Sequence, residues 1–202
     1  MLKILTYDTA AFGLREWVQG VLGTRDLALL HLLPMHDPKG ARVVKPSQRV
    51  YWTITRLKQA FRGAPEARVA AFVREVVVPE IAYEPLPHLG PNFRLHEHGT
   101  ETTSALHRDR QYHHRTGMMK IWMPITPVSG GGTLWVESRE GRGDLRPMQL
   151  DYGQALLFDS LNLLHGCRFN DSGSTRVSID FMIFSVAAAS QPAGAAIADA
   201  SP

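Results

Sequence analysis

From Pro79 onward the chain breaks into short β-rich runs, each closed by glycine, proline or asparagine, and this punctuation constrains the fold most. The runs fall at residues 81–83, 93–98, 102–107, 118–125, 133–136, 145–150, 155–158 and 176–184. Short strands at this spacing predict a sandwich, barrel or jelly roll. Ahead of them the apolar period is helical. Leu14, Trp17, Val18, Val21 and Leu22 mark a helix over 11–22 that Gly23 stops, and 27–33 is a continuous apolar run. Val50, Ile54, Leu57 and Phe61 form the stripe of a second helix over 47–62, and Val69, Phe72, Val73 and Val76 that of a third beginning at Pro65. The expectation is an α+β, mainly β domain over 1–186, with a helical part (1–78) packed on one sheet of a β core (79–186). The Ala/Ser/Pro/Gly-rich stretch 187–202 reads as a disordered tail.

The stretch 151–184 holds the most telling placement of polar groups. An apolar strand (155–158), His165-Gly166, a polar turn (170–174) and an alternating strand (176–184) together read as a hairpin. On the last strand Val177, Ile179, Phe181 and Ile183 share one face, predicted to lie beneath the helices. Arg176, Ser178 and Asp180 share the other, and an inward cluster of that kind needs a polar occupant, because unpaired buried charge is costly. Upstream, His107 and Asp109 are two apart and point the same way if both are extended.

Two imidazoles and one carboxylate can hold a metal on one octahedral face and leave three positions open, the arrangement of non-heme Fe(II) oxygenases. His107, Asp109 and His165 are of the right types for it. The planar guanidinium of Arg176 can clamp the far carboxylate of a dicarboxylate co-substrate, with Ser178 adding a hydrogen bond. Each piece alone is common; the joint order of His-x-Asp, a β-rich region, Gly-x-Ala-Leu-Leu-Phe-Asp, His-Gly and, ten residues on, Arg-x-Ser is not.

With these motifs the chain resembles the Fe(II)/2-oxoglutarate-dependent dioxygenase superfamily, whose fold is a double-stranded β-helix (jelly roll). Within it the chain is most similar to small bacterial oxygenases of antibiotic-biosynthesis, streptomycin-cluster-like type. The carriers are Phe93-Arg94-Leu95, LHRDRQY (106–112), IWMP (121–124), GGTLWVE (131–137), 153–159, LLHG (163–166) and RVSIDF (176–181). The resemblance implies Fe(II) on His107, Asp109 and His165, 2-oxoglutarate on Arg176 and Ser178, and O2 as oxidant. Because Asp109 retains the carboxylate that halogenating relatives lack, it implies hydroxylation of a small molecule. Nucleic-acid demethylases of this fold carry a second arginine where Met182 stands, and the cupin spacing is missed by His96-Glu97-His98 with Glu101. The competing reading is a cupin-like metal-dependent isomerase, or a ligand-binding jelly roll without oxygenase activity.

Further residues are candidates by position. Thr133 and His96 are expected to touch the co-substrate; Arg94, Tyr112, His113, Trp122 and Trp135 are expected to face substrate, with His113 in a loop over the mouth. Lys120 shares a strand face with Trp122, Cys167 is expected to pack rather than ligate, and Asp180 and Glu137 offer negative groups to a cationic substrate. A formal net charge of +3 without a basic run argues against nucleic acid, and no apolar run approaches a membrane span. A lone cysteine and an N-terminus without a cleavable apolar core point to the cytoplasm. Neither the substrate's identity nor an oligomeric state is written in these motifs.

Overall fold

The computed structural model describes residues 1–34, 45–81, 85–87, 90–102, 104–112 and 117–185. Among them it is α+β, with strands all paired antiparallel: β1 (Leu2–Thr6), β2 (Pro85–Pro87), β3 (Asn92–His96), β4 (Met118–Pro124), β5 (Leu134–Val136), β6 (Arg146–Met148), β7 (Gln154–Phe158), β8 (His165–Gly166) and β9 (Arg176–Ser185). The larger sheet runs β1-β7-β4-β9-β2, and β3 also pairs with β9; the smaller runs β6-β5-β8. The helices are α1 (Thr9–Phe12), α2 (Leu14–Leu22), α3 (Pro46–Ala60) and α4 (Ala64–Phe72).

Strand parity sorts the side chains into two cores. Ala155 and Leu157 of β7, Ile121 and Met123 of β4, and the four alternating apolar residues of β9 meet Leu14, Val18, Leu57 and Phe72 of the helices. Their neighbours Leu156, Phe158 and Trp122 point the other way and pack against Leu134, Val136 and Met148 of the smaller sheet. The large sheet is thus the middle of three layers. The expected face of β9 does lie beneath the helices, where each buried large side chain contributes roughly 1.5–3 kcal/mol. The polar face of β9 looks toward the small sheet.

Several elements differ from the sequence expectation. The single helix over 11–22 is two, because Gly13 takes φ 52°, a left-handed conformation that closes α1 and opens α2. The run at 27–33 is a 3-10 helix over Leu27–Leu32. Residues 2–6 form an unforeseen strand, paired with β7 some 150 positions away and burying little besides Leu5. The hairpin over 151–184 does not form: β4 lies between β7 and β9, and the intervening chain crosses to the smaller sheet as β8. The strand expected over 102–107 is reduced, among its described residues, to a bridge between His107 and His165. The tail from 187 and part of the strand expected at 81–83 lie outside the described residues.

Gly166 marks a close approach. A Cβ there would stand 2.8 Å from backbone atoms of Ala105 and Leu106, the segment leading to His107. Gly166→Ala is expected to destabilise the fold by about 1–3 kcal/mol, as overpacking does, and the check is urea unfolding of the purified variant.

Candidate metal centre

The two histidines are joined through their own backbone. His107 N–H donates to the His165 carbonyl and His165 N–H to the His107 carbonyl, both at 2.9 Å. Asp109 is not extended, so the condition under which it and His107 would share a strand face is not met; it begins a 3-10 turn over Asp109–Gln111, and its N–H donates to the Ser160 carbonyl at 2.9 Å. The turn still delivers its carboxylate to the histidines. His107 Nε2 lies 3.2 Å and His165 Nε2 3.6 Å from Asp109 Oδ1. One ligand atom from each of the three residues fits within 4.8 Å of the others.

What each ring presents at that point is set from behind. His107 Nδ1 faces the Ala105 carbonyl at 2.6 Å and His165 Nδ1 faces the Leu163 carbonyl at 2.9 Å. A carbonyl only accepts, so each Nδ1 carries its proton and each Nε2 offers a lone pair to the centre. Two such lone pairs and a carboxylate oxygen repel unless a proton or cation stands among them. The protonation equilibria show that demand. The hydrogen bond with Asp109, outweighing burial, raises the His107 pKa. Burial acts to raise that of Asp109, but His107 and the Lys120 ammonium outweigh it and hold the carboxyl well below its usual range. Burial first, then Lys120, pushes His165 down to about 4. The donor set, two imidazole nitrogens and one carboxylate oxygen, is what a divalent transition metal takes.

Arg108, between the two candidate ligands, points away from them and ties their segments together. Its Nε donates to the Asn162 carbonyl (2.8 Å) and its Nη2 to Glu137 Oε1 (2.7 Å). Glu137, fully buried, also accepts Leu164 N–H at 2.7 Å and Gly143 N–H at 3.1 Å. The carboxylate expected to receive a cationic substrate is therefore a strut between 107–109 and 163–165. Asp180, the other one, is likewise engaged, accepting from Arg94 Nε at 2.8 Å and Asn92 at 3.1 Å.

Comparison with known proteins places this geometry in context. No family model matches the chain. The streptomycin biosynthesis protein StrG of Streptomyces griseus is 28% identical over 181 residues, covering 88% of this chain and 81% of that protein. Among solved structures, HygX from Streptomyces hygroscopicus with iron bound has a TM-score of 0.55 at 14% identity, covering 92% of this chain and 82% of that one. AviO1 from Streptomyces viridochromogenes has a TM-score of 0.53 at 17% identity, covering 95% and 92%. EctD from S. alaskensis has a TM-score of 0.53 at 15% identity, covering 93% and 74%. The chain shares their fold.

Arg94, Trp122 and Arg176 open with His107 and His165 onto one narrow cavity of about 30 Å³. Lys120, Leu134, Phe158, Cys167 and Asp180 also line it. Arg176 Nη1 donates to the Gly132 carbonyl and to Cys167 Sγ, each at 2.9 Å, so Cys167 borders the arginine rather than the metal position. Arg176 Nε, Ser178 Oγ and His96 Nδ1 are buried without a hydrogen-bond partner. His96 stands opposite Arg176 in the β3–β9 register, while its Nε2 contacts the Thr100 carbonyl at 3.1 Å.

Three further candidates lie outside the cavity. Thr133 is fully buried and its hydroxyl donates to the Met148 carbonyl, outside the cavity. On β5 it is Leu134 that faces the cavity; Trp135 turns outward, where the Arg168 guanidinium lies 3.8 Å from its ring centre. Tyr112 is 69% exposed, with its ring 5.7 Å from that of His107, at the rim rather than in the cavity. His113 lies outside the described residues. The cupin-like His96-Glu97-His98 is dispersed: Glu97 pairs with Arg49 at 3.3 Å and His98 Nδ1 accepts Gly173 N–H at 3.1 Å. The residue underrated from sequence is Lys120, 7% exposed, with Nζ 2.7 Å from Asp109 Oδ2 and 3.5 Å from His165 Nε2. Its signal was a lone cation in the apolar run MMKIWMP, in phase with Trp122.

Removing the Arg108 strut should show in stability. Arg108→Met leaves Glu137 buried without its cation, and a loss of roughly 2–4 kcal/mol is expected. That is somewhat below a fully broken buried pair, because two amide donors stay. Urea unfolding of the metal-free protein measures it.

Proposed function

We propose that the chain is a non-heme Fe(II), 2-oxoglutarate-dependent oxygenase with a double-stranded β-helix core, hydroxylating a small molecule in natural-product biosynthesis. The observation that carries this reading is the convergence of His107 Nε2, His165 Nε2 and Asp109 Oδ1, with both Nδ1 atoms committed to carbonyls. Relatives support it coarsely: one is a streptomycin biosynthesis protein, and a protein of shared fold is solved with iron bound.

In this reading His107, Asp109 and His165 hold the metal, and the fixed Nδ1 protons keep both rings turned toward it. Arg176 and Ser178 hold the far carboxylate of 2-oxoglutarate, and their free buried Nε and Oγ are the groups it would satisfy. His96, opposite Arg176, borders that carboxylate. Bound Fe(II) supplies oxygen activation, coupled to decarboxylation of 2-oxoglutarate to succinate and ending in hydroxylation of the substrate. Trp122, Leu134 and Phe158 form the apolar wall that excludes water from the reacting groups. Because the present cavity of about 30 Å³ holds little more than water, ligand entry requires its flexible side chains to move. Among the described residues no helix is long and apolar enough to cross a membrane; in this reading the partner is a small molecule rather than a nucleic acid.

Anaerobic addition of Fe(II) and 2-oxoglutarate should produce a weak visible charge-transfer band, abolished in His107→Ala and Asp109→Ala. In Arg176→Ala the 2-oxoglutarate concentration giving half the band should rise tenfold or more, about 1.4 kcal/mol. A wild-type protein that binds Fe(II) yet shows neither the band nor any 2-oxoglutarate affinity would exclude the reading.

A further inference from the structure

The charges around the centre do not cancel, and the remainder says what else must bind. Three side-chain cations line the cavity, Arg94, Lys120 and Arg176, with one carboxylate, Asp180; a second carboxylate, Asp109, stands beside Lys120 at 2.7 Å. Arg94 and Asp180 neutralise each other at 2.8 Å. Arg176 meets only a carbonyl and a thiol in the contacts described above. Lys120 has Asp109 as its carboxylate, and its cross-strand neighbours, Phe158 on β7 and Met182 on β9, are apolar. Glu137 is committed to Arg108 and two backbone amides.

This inference rests on the oxygenase reading above. A divalent metal adds two positive charges and 2-oxoglutarate adds two negative ones, so loading both leaves the single positive surplus unchanged. What changes is its location. Once Asp109 serves a dication, the Lys120 ammonium must share the one carboxylate beside it with the metal while remaining 7% exposed in a wall that includes Trp122 and Phe158. A buried ammonium without a counter-charge is strongly disfavoured. We infer that the substrate carries an anionic group, a carboxylate or phosphate, and that Lys120 is the specificity-determining residue that holds it beside the metal. The two carboxylates that could have received a cationic substrate, Asp180 and Glu137, are already paired.

The test uses Co(II)-substituted protein saturated with 2-oxoglutarate, probed with acetate, methyl phosphate, methanol and methylammonium. The readouts are the Co(II) visible spectrum and calorimetry. Saturable perturbation by acetate or methyl phosphate, with none by methanol or methylammonium, is the expected result. In Lys120→Met the anion affinity should fall at least tenfold, and Lys120→Arg should restore part of it. Equal response to all four probes, or undiminished anion binding in a folded Lys120→Met, overturns the inference while leaving the oxygenase reading standing. Wild-type protein that takes up Co(II) but no 2-oxoglutarate overturns both. The wild-type comparison stands by itself should Lys120→Met fail to fold.

Discussion

A carboxylate that is only 3% exposed has to be compensated where it stands, and Asp109 is the group around which this molecule is arranged. Its compensation comes from three directions: His107 from its own segment, His165 from the smaller sheet and Lys120 from the larger one. His165 and Lys120 are remote from it in the chain and reach it only through packing. The reciprocal backbone bonds of 107 and 165, the Ser160 carbonyl behind Asp109 and the Arg108–Glu137 strut keep the pieces in place. The imidazoles are oriented by main-chain carbonyls, which cannot rotate away as side chains can. The site is built chiefly from backbone.

The layered packing explains why the site lies between the sheets. Each strand of the larger sheet spends one parity on the helices, and this apolar side is nearly free of charge. The other parity is mixed: apolar where the smaller sheet covers it closely, and polar at Arg176, Ser178, Asp180 and Lys120. Charged groups that are buried yet grouped on one face are retained where a ligand will meet them, and their unsatisfied atoms cluster at the Arg176 end.

Much of this was readable from residues. The parity of β9 followed from alternation, because a strand's side-chain period holds wherever the strand goes, and the three residues the structure brings together around Asp109 were already of metal-ligating type in the sequence. Less was readable where pairing is long-range. The strand at 2–6 forms through β7, and no local pattern in LKILT announces it. The expected 151–184 hairpin failed because β4 pairs with both candidate strands, a competition invisible within that stretch. On β5 it is Leu134 and not Trp135 that lines the cavity, a difference of one residue of phase that a three-residue strand after a glycine turn does not fix in the sequence.

Sequence alone determined which chemistry was possible: two imidazoles, a carboxylate, a guanidinium and a lone strand lysine, each of a type suited to a metal and an anionic co-substrate. It also determined the face on which each strand residue of β9 would lie. Only the tertiary structure decided that Lys120 reaches Asp109, that Glu137 and Asp180 are already paired, and that the cavity keeps a positive surplus. The physical reason is that charge compensation in a low-dielectric interior depends on distances of a few ångströms between groups far apart in the chain. Those distances are set by packing and not by composition.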